Sequence, residues 1–534
     1  MIDWKIVMAF LVGLILFIHG IENFSHEVLH FAGERFRKLI SRATRNRFAG
    51  GVVGMIVTAV IQSSTATTVI TISLVSAGVI SFAQSLGVIM GANVGTTITA
   101  QLVAFELTAY APIFIIAGFL LGLFGKSYRY IGRGIFYFGL VFFGLNLISE
   151  AIEPLKNHPF VISLFANLTN PYVALLAGLV FTALMHSSSV ATGLVVVFAA
   201  SGVLSLEQGI PILLGTNIGA TMTALYTSVR LNVFARRAAL AHTIFNVVGV
   251  LLIWPLIGLF SRFIMSLGGS PAQQIANAHT VFNVGAAVLF LFLLTPLKKL
   301  VEKAIKSDEE ELLIATKYLN AALPKSNSRS FGLIEKEASY SLSIAYKFYN
   351  KSVEFIRDPK KADFNVVEKF EVLADLLDEK IEKALLELSR RPLTEMEAKK
   401  VVLLVRISNL IEQLADTAKN LGFQPRSMNR SSLSLSPESL KSIEKIYSKM
   451  EPALNAVQHE FPHQLIDYTS LFRQVDRVDP IINRGYQEHI KRLKSDQAYA
   501  GSSFVGSCSI LENGADLLKE IMKLTQKYAR LKKR

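Results

Sequence analysis

The segment AVIQSSTATT (59–68) sets Gln62, Ser63, Ser64, Thr65, Thr67 and Thr68 inside an otherwise apolar stretch, with no charge among them. A second cluster, HSSSVAT (186–192), offers His186, Ser187, Ser188 and Ser189. Hydroxyls and amides of this kind donate to an oxyanion and also present oxygen to Na+. Two further motifs, GANVGTT (91–97) and GTNIGAT (215–221), surround Asn93 and Asn217 with glycines and threonines. Glycine tolerates the dihedrals of an unwound turn and asparagine caps helices. Both motifs are therefore expected to interrupt their helices, with QSS and HSSS at the starts or tips of half-helices. Such N-termini present free N–H groups and a positive dipole end to an anion, while unwound carbonyls suit Na+. A neutral site of this composition holds an anion and cations together without a fixed charge of its own. For any one hydroxyl, a bond back to a helical carbonyl or to a neighbouring helix is an equal alternative. The duplicated set favours a site.

The surrounding elements are those of a membrane protein. The chain has 534 residues, 51% of them hydrophobic and 18% charged, and the two classes are unevenly placed. Residues 1 to about 297 are apolar with sparse charge; between Phe48 and Gly125 only Glu106 is charged. Apolar runs at 5–20, 110–125, 131–149, 238–260 and 275–297 are of spanning length or near it, since a bilayer core takes about 20 apolar residues per helix. The N-terminal run lacks a basic leader region and reads as a retained first helix. A single cysteine, Cys508, excludes an intrachain disulfide and a cysteine-based metal cluster. The net charge of +14 gathers at membrane edges and needs no nucleic acid.

The polar motifs recur at a fixed offset of 124 residues, Ser63 on Ser187, Ser64 on Ser188, Gly78 on Gly202, and MGANVGTTITA (90–100) on LGTNIGATMTA (214–224). Charges suggest how each copy lies. The basic stretch 33–47 reads as a cytoplasmic loop, whereas its counterpart near 157–171 is barely charged. RLNVFARR (230–237) reads as cytoplasmic, and its counterpart near Glu106 does not. Equivalent segments then cross in opposite directions, the inverted-repeat plan of many secondary transporters, with the site where the repeats meet.

The duplicated QSS-type motif, the pair GANVGTT/GTNIGAT and AHTIFN (241–246) resemble the type II sodium/phosphate cotransporter family over most of residues 5–297. The resemblance implies Na+-coupled movement of inorganic phosphate and a fold like that of elevator-type anion transporters with two re-entrant hairpins. It assigns ion or phosphate contacts to Gln62, Ser63, Ser64, Thr65, Asn93, Thr96, Thr97, Ser187, Ser188, Ser189, Asn217 and Thr221. His186 stands where that family usually has glutamine, and either titrates near neutrality or is a neutral structural group. AHTIFN repeats as AHTVFN (278–283); without a carboxylate or cysteine nearby, the two histidines and two asparagines read as packing and interhelical hydrogen bonds rather than a metal site. Arg230, Arg236 and Arg237 read as topology anchors.

From Lys298 the pattern turns to amphipathic helices, with Phe370, Leu373, Leu377, Ile381 and Leu385 at helical spacing. Gly422 is expected to end a helix, 423–437 to form a linker, and 438–531 to hold further helices. LIEQLADTAKNL (410–421) and ILENGADLLKEI (510–521) match at an offset of 100, and their acidic E-x-x-x-D rows resemble PhoU-like helical bundles. That resemblance implies a possible divalent or iron-type metal at Glu371, Asp375, Glu412, Asp416, Glu512 and Asp516. A solvated charged face is the alternative, since spacing of four puts both carboxylates on one helix face.

The expected architecture is all-α: a polytopic membrane domain at 1–300 (repeat one about 5–125, repeat two about 129–297), a connection at 301–330, and a cytoplasmic helical bundle at 331–534. The expected activity is Na+-coupled phosphate transport across the cytoplasmic membrane by alternating access, with Na+ as coupling ion, no organic cofactor, the bilayer and a second copy of the chain as partners, and regulation by the tail. Phosphate export, or transport of another oxyanion or a carboxylate, is the alternative within transport; a phosphate sensor without turnover is the alternative outside it. No nucleophile–base set for an enzyme is visible.

Overall fold

In the computed structural model, which describes residues 3–533 except 45, 106, 124–125, 157, 308–310, 320, 432–434, 463–467 and 494–500, the described residues form helices and connections without a strand. The chain divides into two compact units, Met1–Glu311 and Leu312–Arg534.

The first unit opens with α1 (Trp4–Ala43). The basic stretch expected as a loop from residue 33 instead prolongs this helix to Ala43, because Lys and Arg are good helix formers. Three helices follow that carry the first polar motifs: α2 (Arg47–Ile61), α3 (Ser64–Ser76) and α4 (Phe82–Ala104). Then come α5 (Ala111–Leu123), α6 (Lys126–Ile152) and the short α7 (Pro159–Ala166). The next three repeat the earlier trio: α8 (Pro171–Met185), α9 (Ser188–Ala200) and α10 (Leu206–Gly219). The unit closes with α11 (Thr221–Ser228), α12 (Val233–Ile253), α13 (Ile257–Ser266), α14 (Pro271–Phe292) and α15 (Leu294–Ala304).

The duplication read in the sequence is a duplication of local structure. Asn46 caps α2 and Asn170 caps α8, each through its side-chain oxygen. Capping boxes start α4 (Ser81 with Gln84) and α10 (Ser205 with Gln208), each satisfying two N–H groups that a helix start leaves unpaired. Gly78 and Gly202 end the preceding helices with positive φ of 74° and 71°.

Glycine also sets the closest packing. A Cβ at Gly91 of α4 would lie 1.8 Å from the carbonyl oxygen of Gly51 in α2, and one at Gly215 of α10 would lie 2.0 Å from that of Leu175 in α8. These glycines were expected to break their helices. Gly91 and Gly215 sit in helical backbone instead, their lack of a side chain used for helix contact, and α4 runs unbroken past Asn93; the second motif does interrupt its helix, since α10 ends at Gly219 and α11 starts at Thr221.

Among the described residues, five helical stretches are long and apolar enough to cross a bilayer: Trp4–Ala43, Phe82–Ala104, Tyr128–Leu155, Val233–Ser266 and Pro271–Phe292. The run expected at 110–125 yields only the 13-residue α5. Large apolar side chains such as Ile15, Ile113, Phe119, Leu251, Leu259 and Phe292 face outward, as a lipid-facing surface requires. By contrast α2 and α3, of 15 and 13 residues, reach only about 22 and 20 Å at 1.5 Å per residue, short of the roughly 30 Å core.

After α15 the chain of the first unit lies back on two of its helices. Arg237 of α12, itself buried, donates from Nε and Nη2 to the carbonyl of Ile305 at 3.0 and 2.9 Å. Glu311 Oε1 accepts from the first N–H of α4, that of Phe82, at 2.5 Å.

The second unit is a helical bundle of α16 (Asn327–Arg357), α17 (Phe364–Ser389), α18 (Glu395–Ser431), α19 (Pro437–Glu460), α20 (Thr469–Val475), α21 (Val478–Leu493) and α22 (Gly501–Lys533) around one apolar core. Gly422 does not end α18, which continues through most of the expected linker to Ser431; residues 432–434 of that linker lie outside the described ones. The glycine is there for proximity: a Cβ on it would meet Ser352 Oγ at 2.9 Å, and that hydroxyl already donates to the Ala418 carbonyl at 2.7 Å.

Candidate functional site

Two turns of the same unusual shape carry the hydroxyl clusters. Gln62 ends α2 in the left-handed region at φ 59°, and His186 ends α8 at φ 53°. They are the two positive-φ non-glycine residues among those described. The next residue in each turn is extended, Ser63 at φ −146° and Ser187 at φ −143°, and its hydroxyl accepts from the N–H three positions on, Ala66 and Val190. Each QSS-type motif is thus a helix end, a one-residue reversal and a new capped start. The tips expected for these motifs are where they stand.

The structure brings the two turns together. Ser189 Oγ approaches the carbonyl oxygen of Gln62 at 3.5 Å. The N-termini of α3 and α9 therefore meet, each with a serine in its first turn, Ser64 and Ser188, that is buried. Thr65 lies between burial and exposure. No carboxylate belongs to either turn, so two dipole ends of the same sign converge without a countercharge. Around them the buried hydroxyls of Thr68, Thr96, Thr182 and Thr192 have no hydrogen-bond partner in the protein.

Each tip is tied to a neighbouring helix through a threonine that the sequence motifs did not single out. Thr99 Oγ1 of α4 donates to Gln62 Oε1 at 2.8 Å, and Thr223 Oγ1 of α11 lies 3.0 Å from His186 Nδ1. These two pairs correspond at the same offset of 124, so the signal was present in TITA and TMTA. His186 accordingly takes the role that Gln62 plays in the first copy, although it is exposed where Gln62 is buried.

Four other candidates, Asn93, Thr97, Asn217 and Thr221, have hydrogen-bond partners outside the two turns. Asn93 is buried and bonds to His242 and Asn246 of α12. Thr97 and Asn217 donate to carbonyls of their own helices, at Val94 and Leu213, and Thr221, at the start of α11, donates back to the Ile218 carbonyl of α10. The interhelical hydrogen bonds expected of AHTIFN are therefore present, and they run to a residue of the other motif.

The acidic rows of the second unit meet in part. Glu371 and Asp375 of α17 face Glu412 and Asp416 of α18, and Lys419 Nζ bridges Glu371 at 2.5 Å and Asp416 at 3.6 Å. Asp516 belongs to a different group, with Lys519 and Asp476. Among the described residues no three His, Cys, Asp or Glu side chains stand so as to hold a metal ion; at the first two rows an ammonium group lies among the carboxylates. Burial and then the neighbouring carboxylates raise the pKa of Asp375 and of Glu412 above their ordinary values. An acid with a raised folded pKa binds protons more readily folded than unfolded, so it opposes folding at neutral pH and does so less as pH falls towards that pKa. Lys419 offsets the repulsion. Lys419→Met is expected to lower the midpoint of the bundle's thermal transition by roughly 3 °C near neutral pH, and by clearly less near pH 5. Equal losses at both pH values in a thermal-shift series would show that the ammonium does not act on these carboxyls.

A family model described as Na+/Pi-cotransporter matches twice, over residues 16–150 and 147–295. The uncharacterized protein YqeW of Bacillus subtilis strain 168 is 31% identical over 288 residues, 54% of this chain and 94% of that protein. YjbB of Escherichia coli strain K12, named provisionally as an inorganic phosphate export protein, is 24% identical over 493 residues, 91% of each chain. The sodium-dependent phosphate transport protein 2C of Mus musculus is 39% identical over 114 residues, 21% of this chain and 18% of that protein. No solved structure matches.

Proposed function

This chain belongs to the Na+/Pi-cotransporter family, and from that premise we propose that it carries inorganic phosphate across the cytoplasmic membrane by Na+-coupled alternating access. It is a multi-pass membrane protein, and its family consists of transporters, not enzymes.

The observation that carries the reading is the meeting of the two serine-capped half-helix starts beside Gln62 and Ser189. Phosphate is a compact oxyanion, and converging N–H groups and hydroxyls recognise it without a fixed cation. Ser64, Ser188, Thr65 and Ser189 are read as its donors. Na+ would supply the balancing charge, with hydroxyl, amide and carbonyl oxygens at 62–65, 186–189, Asn93, Thr96, Thr97, Asn217 and Thr221 as the pool of ligands. A neutral host makes the two kinds of ion depend on each other: each raises the affinity for the other, which is what coupling requires.

The short hairpins α2–α3 and α8–α9 support an elevator-like, inverted-repeat plan, since paired broken segments are the usual seat of such sites. The basic residues Lys298 and Lys299 support a cytoplasmic second unit, which we read as regulatory. The E. coli relative, similar over 91% of each chain, favours a two-part organisation of the same kind, and its name favours export as a second reading of direction.

The test is ³²P-phosphate flux in proteoliposomes holding the full chain, with an Na+ gradient imposed in either direction. Flux that follows the Na+ gradient is expected. Phosphate flux indifferent to Na+ would remove the coupling, and phosphate binding with no flux under any gradient would turn the reading to a sensor.

A further inference from the structure

The motifs AHTIFN on α12 and AHTVFN on α14 each offer a histidine and, one turn later, an asparagine: His242 with Asn246, and His279 with Asn283. Each pair lies near an asparagine of the polar motifs. Asn93 of α4 serves the first and Asn217 of α10 borders the second, and those two asparagines correspond at the offset of 124. The clusters have the same composition but differ in their bonding.

The first is closed. His242 Nε2 donates to Asn93 Oδ1 at 3.0 Å, which fixes the tautomer, and Asn93 Nδ2 donates to Asn246 Oδ1 at 2.9 Å. Asn246 Nδ2 donates to the His242 carbonyl at 3.0 Å. In the second, only the last of these bonds exists, from Asn283 Nδ2 to the His279 carbonyl at 2.9 Å. Asn217 turns away and donates to the Leu213 carbonyl of its own helix at 3.0 Å. Both ring nitrogens of His279 and the Oδ1 of Asn283 meet no protein partner, although these residues are 1% and 0% exposed. Between Asn217 and His279 lies a cleft with room for about one water molecule, walled by Leu213, Phe260 and Phe282.

A buried imidazole without a partner is unfavourable, and a stable core seldom leaves one beside a side chain that could satisfy it. In the first cluster the same residues bond one another, and only Nδ1 of His242 is left without a protein partner. Resting on the reading that the two repeats alternate, we propose that the clusters are two halves of one exchanging clasp. In the opposite conformation His279 bonds to Asn217 and Asn283, and His242 releases Asn93. The exchange breaks as many bonds as it makes, so both conformations stay within reach of each other, which a carrier cycling between them needs. His242 and His279 are positioning residues: they hold α4 to α12, or α10 to α14, and touch neither phosphate nor Na+.

Hydrogen–deuterium exchange on the full chain in lipid nanodiscs tests this, with peptides covering 82–104 and 206–219. His242→Ala is expected to speed exchange in 82–104 and at the same time slow it in 206–219, because losing the closed clasp favours the other. A change of roughly fivefold in each is what one buried hydrogen bond sets. His279→Ala is expected to slow exchange in 82–104. Loosening confined to the mutated cluster, or no change in the opposite one, would overturn the clasp and leave fixed packing in its place. Should either alanine variant unfold, His242→Leu and His279→Leu, which fill the space but carry no donor, give the same two-sided readout. Phosphate flux is measured separately on the wild type: its absence would overturn the transport reading, whereas one-sided exchange in a protein that transports would overturn only the clasp.

Discussion

Ser64→Ala and Ser188→Ala are each expected to cut phosphate flux at least tenfold while the protein keeps its fold. A hydrogen bond from a hydroxyl to a charged oxyanion contributes about 1.5–3 kcal/mol, and 1.4 kcal/mol is a factor of ten. Both serines are buried in the first turn of a half-helix at the meeting point of the two tips. The structural duty there belongs to the residue before: Ser63 caps Ala66, and Ser187 caps Val190. Ser63→Ala should therefore lose about 1 kcal/mol of stability as a lost N-cap, whereas Ser64→Ala should leave the melting temperature nearly unchanged. Flux and thermal stability measured side by side separate the two serines. Wild-type flux in both Ser64→Ala and Ser188→Ala would remove the tips from the transport path.

Gly91→Ala and Gly215→Ala carry the largest expected effect on folding. The added carbon would stand 1.8 Å from the carbonyl oxygen of Gly51 in one case and 2.0 Å from that of Leu175 in the other. Both obstacles are backbone, so relief requires the paired helices to part along their length. Overpacking in a tight core costs about 1–3 kcal/mol even where side chains can yield, and here none can. The expected result is a monodisperse yield reduced severalfold in detergent size-exclusion chromatography, with a lowered melting point. Gly285→Ala is the control: a Cβ there meets nothing within 4 Å, and alanine favours a helix by roughly 0.8–1 kcal/mol. Equal behaviour of Gly91→Ala and Gly285→Ala would mean that α2 and α4 do not approach as closely as described.

The same glycines show where sequence reading reaches its limit. Hydrophobic length and the sparse charge of the first 297 residues made the membrane class plain, and the offset of 124 made the duplication plain. The turn geometry at Gln62 and His186 was also legible, because a polar cluster after a short apolar run has few places to go. What GANVGTT does was not. Glycine signals either a special dihedral or a close neighbour, and only the partner helix decides which; Gly51 lies 40 residues away. Gly422 misled for the same reason, since Ser352 is remote in the chain. Asn93 was named as a ligand candidate, and its buried bonds to His242 and Asn246 were not foreseen, because two motifs some 150 residues apart carry no mark of pairing. The acidic spacing put each carboxylate pair on one helix face, but it did not show that Asp516 would join a different group or that Lys419 would sit among the first two rows.

The left-handed residues at the two tips have a consequence for which side chains those positions accept. A non-glycine residue in that region carries backbone strain of about 1 kcal/mol or more, and glycine would relieve it in a single substitution. One tip carries glutamine and the other histidine, and neither carries glycine. Each side chain instead keeps a threonine of its neighbouring helix, Thr99 or Thr223. The tips thus hold side chains that anchor a neighbouring helix at positions where backbone strain alone would favour glycine.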